Sequence, residues 1–172
     1  MTKKILIVRS SSLGDLVFVL PAISDIAKHY PGATIDWVVE EAFAEIPSWH
    51  PAVNRVITIS HRRWRKKWWS SEARSERAEF KKIVRQTKYD IVLDMQALMK
   101  SVWVVRQTLG ERHGLDWKSA RERMASLFYN KRHHVEFWQP AVIRQRELAA
   151  LALGYSYEGP PDFALQAFTD GV

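Results

Sequence analysis

The chain has no cysteine and no long apolar run, and both absences narrow what it can be. Without cysteine there are no disulfides, zinc–thiolate sites or thiol nucleophiles, and a reducing compartment is compatible. No segment approaches the roughly 18 apolar residues of a membrane span. The four-residue apolar run before Arg9 is also too short for the core of a signal peptide. We therefore expect a soluble or peripheral protein.

Several nucleotide-binding and metal-binding patterns are missing as well. The sequence contains no P-loop, no GxGxxG fingerprint, no serine nucleophile elbow and no Asp-x-Asp pair, so metal-held nucleotide diphosphate chemistry is not expected. His133 and His134 are adjacent, and neighbouring side chains do not converge on one metal ion. We expect neither a metal site nor a cofactor.

What is present is a chain of 172 residues, 47% hydrophobic, with eight tryptophans, which suits one folded domain of ordinary size. Short β-branched runs alternate with helical patterns, and this alternation predicts an α/β protein with a doubly wound parallel sheet. The predicted strands are residues 3–9, 34–40, 55–59 and 89–95. The predicted helices are residues 16–29, 41–49, 72–87, 98–109, 119–129 and 136–153.

The most informative stretch is residues 3–15, where a buried strand leads into a Ser/Gly turn that ends in a carboxylate. Such a turn exposes backbone N–H groups at the carboxyl edge of a sheet, where open α/β folds bind ligands and where anions are favoured. The charge of Asp15 opposes an anion, so this residue is better placed as a proton acceptor beside one. The alternative is that Ser12 or Asp15 only caps the next helix.

The positive charge is concentrated in one segment. Between His61 and Arg85 there are ten basic residues and three glutamates, which gives +7, the net charge of the whole chain. Residues 61–69 alone combine five cations with three tryptophans, a mixture suited to an anionic glycolipid at a membrane surface or to single-stranded nucleic acid. The alternative is a solvated loop whose tryptophans fold back onto the core.

Taken together, several segments resemble the bacterial lipopolysaccharide heptosyltransferases, most of all the type I enzymes, which add the first heptose to the Kdo sugars of lipid A. The resemblance covers nearly the whole chain and is carried by residues 5–15, 20–22, 36–41, 44–51, 62–66, 119–122 and 125–130. Two positions depart from the family pattern. Phe18 stands where His is common, and Ala97 stands where the family usually has the glycine of Asp-x-Gln-Gly.

The resemblance implies the GT-B architecture, with two Rossmann-like domains and an active site between them. It implies an inverting, metal-independent transfer of L-glycero-D-manno-heptose from ADP-heptose to Kdo-lipid A. The enzyme would be peripheral on the cytoplasmic face of the inner membrane, with no nucleic acid expected. Residues 1–154 would be the acceptor-side domain, and residues 155–172 a linker and the start of a donor-binding domain. The oligomeric state stays open.

The resemblance also implies roles for particular residues. Asp15 would be the general base. The remaining roles are donor binding by Ser11, Ser12 and Gly14, acceptor binding by Arg62, Arg63, Arg65, Lys66 and Arg121, and membrane contact by Trp64, Trp68 and Trp69. The chain corresponds to the N-terminal half alone and would be inactive by itself. A different hypothesis stays open, in which the chain is a binding module for anionic glycolipid or nucleic acid that performs no chemistry.

Overall fold

Six parallel strands form one sheet with the spatial order β3-β2-β1-β4-β5-β6 in the computed structural model, which describes residues 2–165. This order reverses direction between β1 and β4, as in doubly wound dinucleotide-binding folds. The strands are β1 Lys4–Val8, β2 Thr34–Glu40, β3 Val53–Ile59, β4 Lys88–Asp94, β5 Leu109–Leu115 and β6 Lys131–His133.

Helices cover both faces of the sheet. They are α1 Leu13–Val17, α2 Leu20–His29, α3 Glu45–Ser48, α4 His61–Lys66, α5 Ser71–Val84, α6 Met99–Gln107 and α7 Ala141–Leu153. The first face carries α1, α2, α3 and α7, and the second carries α4, α5 and α6. A 3-10 helix, Arg123–Phe128, packs against α6 on the second face.

The central strand shows why the sequence folds in this way. Ile5 and Ile7 pack into the core of the first face, and Leu6 and Val8 pack into the core of the second. All four side chains are fully buried. A strand covered on both faces must be apolar at every position, which is the pattern of a central parallel strand.

The four predicted strands are confirmed within two residues at each end, but β5 and β6 were not predicted. The sequence of β5 contains two glycines and three charged or histidine residues, so it has no β-branched run. Gly114 is required there because a Cβ atom would lie 2.2 Å from the ring of Tyr129. Close packing, rather than β-propensity, therefore explains this part of the strand.

The predicted helix at residues 16–29 is wrong as a single element, because α1 ends at Val17 and Pro21 lies in the first turn of α2. Proline is tolerated there because the first N–H groups of a helix have no partner within the helix. The predicted helix at residues 41–49 is also divided, into a 3-10 turn, Glu41–Phe43, and α3.

Two later helices begin further along the chain than predicted, and one was not predicted. Residues 119–129 form only the 3-10 helix Arg123–Phe128. The helix predicted from residue 136 begins at Ala141, directly after Pro140, and ends as predicted at Gly154, which has φ 78°. The basic segment was not assigned to a helix, yet its first six residues form α4.

A buried ion pair joins the two long helices of the first face. Arg146 of α7 donates from Nε to Asp25 of α2 at 2.7 Å and from Nη2 to the second carboxylate oxygen at 3.0 Å. The same guanidinium donates to the carbonyl oxygens of Glu158 and Gly159 and lies over the ring of Tyr157. Arg146 therefore holds the chain that follows α7 against the domain. The predicted start of a second domain lies partly outside the described residues.

Replacing Arg146 with Leu is expected to lower the free energy of unfolding by about 3 kcal/mol, because Asp25 then keeps a buried charge without its partner. Adding Asp25→Asn should recover part of this loss, since the double variant has no unpaired charge. Urea unfolding followed by circular dichroism measures both effects. A loss below about 1 kcal/mol in the single variant, the size of an ordinary substitution, would show that the pair does not hold these helices together.

Candidate functional site

The Ser/Gly turn lies at the carboxyl edge of the sheet, next to the loop that follows β4. The chain leaves β1 toward β2 on one side of the sheet and leaves β4 toward β5 on the other side. Residues 9–12 connect β1 to α1, and residues 95–98 connect β4 to α6. Ligands of open α/β folds bind in the crevice between two such loops. The predicted position of the turn is therefore confirmed, and the strand order adds that it faces the loop after β4.

Gln96 ties the two loops together. Its side-chain oxygen accepts hydrogen bonds from the backbone N–H of Ser10 at 3.0 Å and from the Ser10 hydroxyl at 2.8 Å. Its side-chain nitrogen lies 3.4 Å from the Ser11 hydroxyl. Because Gln96 and Ser10 are both buried, these bonds hold the turn in one place.

Asp94 fixes the loop after β4 from inside the protein, and its side chain has no contact with solvent. The fully buried carboxylate accepts hydrogen bonds from the backbone N–H groups of Gln96 and Ala97 and from the hydroxyls of Ser101 and Tyr129. Asp94 is therefore a structural residue. Ala97 has φ 55°, a conformation that glycine adopts without strain. This backbone conformation would suit the glycine that the sequence resemblance implies at this position.

Asp15 is held by three donors and still reaches solvent. One of its oxygens, Oδ2, accepts from the Ser12 hydroxyl at 2.9 Å and the Ser12 backbone N–H at 3.4 Å. The same oxygen lies 3.3 Å from Nη2 of Arg9, and the side chain is 39% exposed. Partial burial alone would raise the pKa of Asp15, but Ser12 and Arg9 together bring it below its ordinary value. The carboxylate is therefore ionised at neutral pH.

The predicted capping role of this turn is confirmed, and it is compatible with the proton-acceptor role predicted for Asp15. Asp15 closes the first turn of α1 by bonding back to Ser12, as a helix cap does. Its second oxygen, Oδ1, makes no hydrogen bond or ion pair to another residue between positions 2 and 165. Capping therefore fixes the position of the carboxylate and leaves Oδ1 available to another donor.

A cavity of about 110 Å³ opens beside Asp15 and is rich in arginine. Arg121, predicted as an acceptor ligand, lines it together with Arg9 and Arg144. Nε of Arg144 is buried and has no hydrogen-bond partner within the described part of the chain. Three guanidinium groups against one carboxylate make this cavity suitable for an anion. The other lining residues are Met95, Gln96, Leu115, Val135, Ala141, Gln145 and Leu148.

Arg9 and Arg144 were missed because Arg9 directly follows an apolar strand and Arg144 lies within helix α7, so neither belongs to a recognisable motif. Arg9 follows the four-residue apolar run of β1, and it is buried and donates from Nη1 to the carbonyl oxygen of Met95 at 2.7 Å. Burial lowers the pKa of Arg9, and the neighbouring Asp15 and Asp94 oppose that effect. A buried arginine directly after a central strand was the available signal, since such a charge requires a partner.

A second groove, of about 390 Å³, lies on the other side of Ser11. The predicted residues Arg62 and Arg65 line it, and Lys100 of α6 donates from Nζ to the Ser11 hydroxyl at 2.9 Å. Burial lowers the pKa of His61 to about 4, so this imidazole is neutral at pH 7. Glu40, His61, Trp68 and Trp103 complete the lining.

Arg63 and Lys66 do not line this groove. The guanidinium of Arg63 lies 3.3 Å from Glu41 and 3.6 Å from Glu72, and it also pairs with Glu76. These carboxylates already neutralise Arg63, so the acceptor role predicted for it is unsupported by its position. Lys66 lies with Arg63 at a separate surface depression beside the start of α5.

The three tryptophans of the basic segment differ in exposure. Trp64 is only 2% exposed, and its indole donates from Nε1 to Glu76 at 2.9 Å. A buried indole cannot reach a membrane surface, so the predicted membrane contact of Trp64 is corrected to a core position on the inner face of α4. Trp68 and Trp69 are 43% and 76% exposed, and Arg77 stacks over the ring of Trp68 at 3.8 Å.

Three further observations concern the space around Gly14, metal ligands and membrane-spanning helices. A Cβ atom at Gly14 would meet nothing within 4 Å, so the backbone there faces open space, as a donor contact would need. Residues 2–165 contain no cluster of three or more His, Asp or Glu side chains that could hold a metal ion. None of the helices in that range is long and apolar enough to cross a bilayer.

Comparison with known proteins connects this geometry to one enzyme family. The model of glycosyltransferase family 9 (heptosyltransferase) matches residues 77–170. Lipopolysaccharide heptosyltransferase 1 of Escherichia coli K12 is 51% identical over 154 residues, which cover 89% of this chain and 48% of that protein. The protein of the same name from Pseudomonas aeruginosa is 49% identical and covers 88% and 43%. The chain spans about half the length of the curated relatives it matches.

Solved structures give the same result. The E. coli heptosyltransferase WaaC with ADP superimposes with a TM-score of 0.95 at 48% identity, covering 98% of this chain and 54% of that one. The same enzyme with ADP-2-deoxy-2-fluoro heptose gives 0.96. A family 9 glycosyltransferase from Veillonella parvula, 17% identical with a TM-score of 0.72, covers 90% of this chain and 42% of that one and supports the fold alone.

The hydrogen bonds at the turn predict how Asp15 titrates. Its carboxyl carbon, followed by NMR, should titrate below the ordinary aspartate pKa of about 3.9. Ser12→Ala should raise this pKa, whereas Ser71→Ala, at an exposed position on α5, should not. The pKa of Asp15 is lower in the folded than in the unfolded protein, so the bonds of its ionised carboxylate stabilise the fold at neutral pH. This stabilisation disappears as the pH falls through the folded pKa. An unchanged pKa in the Ser12 variant would contradict the assigned bonds.

Proposed function

Because the chain belongs to glycosyltransferase family 9, the heptosyltransferases, we propose that it is the N-terminal, acceptor-side domain of a GT-B lipopolysaccharide heptosyltransferase of type I. The complete enzyme would transfer L-glycero-D-manno-heptose from ADP-heptose to Kdo of Kdo-lipid A. The observation that carries the proposal is the ionised, partly exposed carboxylate of Asp15 beside an arginine-rich cavity at the sheet's switch point.

In this proposal Asp15 is the general base of an inverting transfer. The acceptor hydroxyl gives its proton to the carboxylate while its oxygen attacks the anomeric carbon of the heptose. The bond between that carbon and the ADP oxygen breaks on the opposite face, and ADP leaves with the electron pair. A carboxylate of low pKa can take this proton because the hydroxyl becomes strongly acidic as its new bond to carbon forms.

Arg9 and Ser12 would keep Asp15 ready for this step. Their contacts all fall on Oδ2, which leaves Oδ1 available to a substrate hydroxyl. We therefore assign Ser12 mainly to positioning the base. Ser11 retains the donor-binding role, because its oxygen accepts from Lys100 while its own hydroxyl hydrogen can point toward the donor. Gly14 leaves room for that approach.

The two basic regions would divide the anionic groups of the acceptor between them. The cavity lined by Arg9, Arg121 and Arg144 lies next to the base and would hold a Kdo carboxylate. The groove lined by Arg62, Arg65 and Lys100 lies further along the edge, and with its Trp68 and Trp103 walls it would hold a lipid A phosphate. Arginine forks match both anions in geometry.

Association with the cytoplasmic face of the inner membrane is part of the same proposal. Trp68 and Trp69 are exposed next to the cations of α4, and indoles and basic side chains together favour the interface of an anionic bilayer. A nucleic-acid partner is less well supported, because a positioned general base has no role in such binding.

Substituting Asp15 with Asn in the complete two-domain enzyme should lower kcat by roughly 10²-fold or more, because the amide cannot take the acceptor proton. Acceptor affinity should change little. Asp116→Asn is the matched control, since Asp116 also accepts from a nearby serine N–H at the carboxyl edge. Turnover is measured as ADP release with a deacylated Kdo-lipid A acceptor. Wild-type turnover in the Asp15 variant would end the general-base assignment.

Removing charges one region at a time should show whether the groove, rather than the basic segment as a whole, binds the acceptor. Arg62→Ala with Arg65→Ala should weaken binding of Kdo-lipid A vesicles and flatten its salt dependence, because exposed ionic contacts are screened by salt. Arg63→Ala removes one charge from the same helix but leaves the groove lining intact, so it should have a smaller effect. Equal losses in both variants would show that only net charge matters.

A further inference from the structure

The 3-10 helix Arg123–Phe128 packs onto the domain through Ala125, Ser126 and the partly buried ring of Phe128. Ala125 and Ser126 are 0% and 1% exposed, whereas Met124 and Leu127 are 53% and 52% exposed. A short helix on a water-facing surface normally turns its large apolar residues inward, as this one does with Phe128 but not with Met124 and Leu127. Two large apolar side chains of one short helix are thus left exposed, which is typical of a surface that binds an apolar partner.

The helix is fixed in this orientation. The Tyr129 hydroxyl, directly after it, donates to the buried Asp94 at 2.6 Å, and the backbone N–H of Glu122, directly before it, donates to the carbonyl of Ala97 at 3.1 Å. The Ser126 hydroxyl donates to the carbonyl oxygen of Arg123 at 2.8 Å. Met124 and Leu127 are thus presented by a segment tied to the core at both ends.

Positive charge surrounds these apolar side chains. Residues 117–132 contain five cations and one carboxylate. Leu127 shares an open depression with Trp117, Lys118 and Arg132, and Asp116, Ser126 and His134 also line it. We call the apolar residues and their exposed basic neighbours the 117–132 patch: Trp117, Met124, Leu127, Lys118, Arg123 and Arg132. None of its three cations forms an ion pair with another residue in the range 2–165.

We propose that the 117–132 patch docks on an anionic lipid bilayer. Leu, Met and Trp side chains would enter the boundary between headgroups and acyl chains, and the basic side chains would remain at the lipid phosphates. The 3-10 helix packs on α6, on the same face of the sheet as α4. Trp68, Trp69 and Met99 are exposed as well, the two tryptophans just after α4 and Met99 at the start of α6, two helices of this face.

Other occupants suit the patch less well. Trp117 is the one aromatic side chain of the patch, so a single-stranded nucleic acid would find only one ring on which to stack a base. A second copy of the chain would bring two positively charged patches together, which is unfavourable. The proposal does not depend on heptose transfer, because it concerns a bilayer that needs to contain no acceptor.

The absence of cysteine permits a direct test with single labels. Leu127→Cys carries an environment-sensitive fluorophore, and Leu151→Cys, exposed on α7 of the opposite face, is the control. Phosphatidylcholine vesicles containing phosphatidylglycerol should shift the emission of the label at 127 to the blue. The label at 151 should not respond, and vesicles of phosphatidylcholine alone should give a much weaker response.

A second measurement uses unlabelled protein and vesicle sedimentation. Met124→Ser combined with Leu127→Ser should lower the affinity for the anionic vesicles by about tenfold or more, while Leu151→Ser should change it less than about twofold. No response at position 127, or wild-type sedimentation of the double variant, would overturn the proposal. So would a shift without vesicles that grows with protein concentration, or one produced only by an oligonucleotide.

Discussion

The side-chain amide of Gln96 joins the loops that follow β1 and β4, and the position of Asp15 depends on this connection. Gln96 accepts two hydrogen bonds from Ser10 inside the protein. Asp94 in turn fixes the backbone of Gln96. A turn of small residues would otherwise have many conformations, so these buried bonds convert it into a defined edge of the site. The helix cap at Ser12 then places the Asp15 carboxylate on that edge.

The basic segment is less uniform than its charge suggests. Arg63 already pairs with glutamates, and the indole of Trp64 is part of the core. Arg62 and Arg65 of the same short helix line the groove next to Ser11, and the guanidinium of Arg62 also lies over the ring of Phe43. A six-residue helix therefore separates structural from binding side chains, which a count of charges does not show.

The sequence predicted the strands β1 to β4 and the Asp15 turn because their signals are local: an apolar run, small residues and one carboxylate. It did not predict β5, in which Gly114 serves close packing against the ring of Tyr129 and Gly110 close packing against the backbone of Tyr89. It also missed Arg9 and Arg144, which reach the cavity from segments 135 residues apart in the chain. Such convergence depends on tertiary packing. For the same reason, Trp64 could not be distinguished from Trp68 without the fold.

The central claim is that the acceptor hydroxyl binds at Asp15 within this half of the enzyme. The most direct measurement is the carboxyl carbon resonance of Asp15 in the 172-residue chain while a deacylated Kdo-lipid A acceptor is added. The account predicts a saturable shift of this resonance, with the Asp116 resonance as a reference that stays constant. Acceptor binding that leaves the Asp15 resonance unchanged would contradict the account.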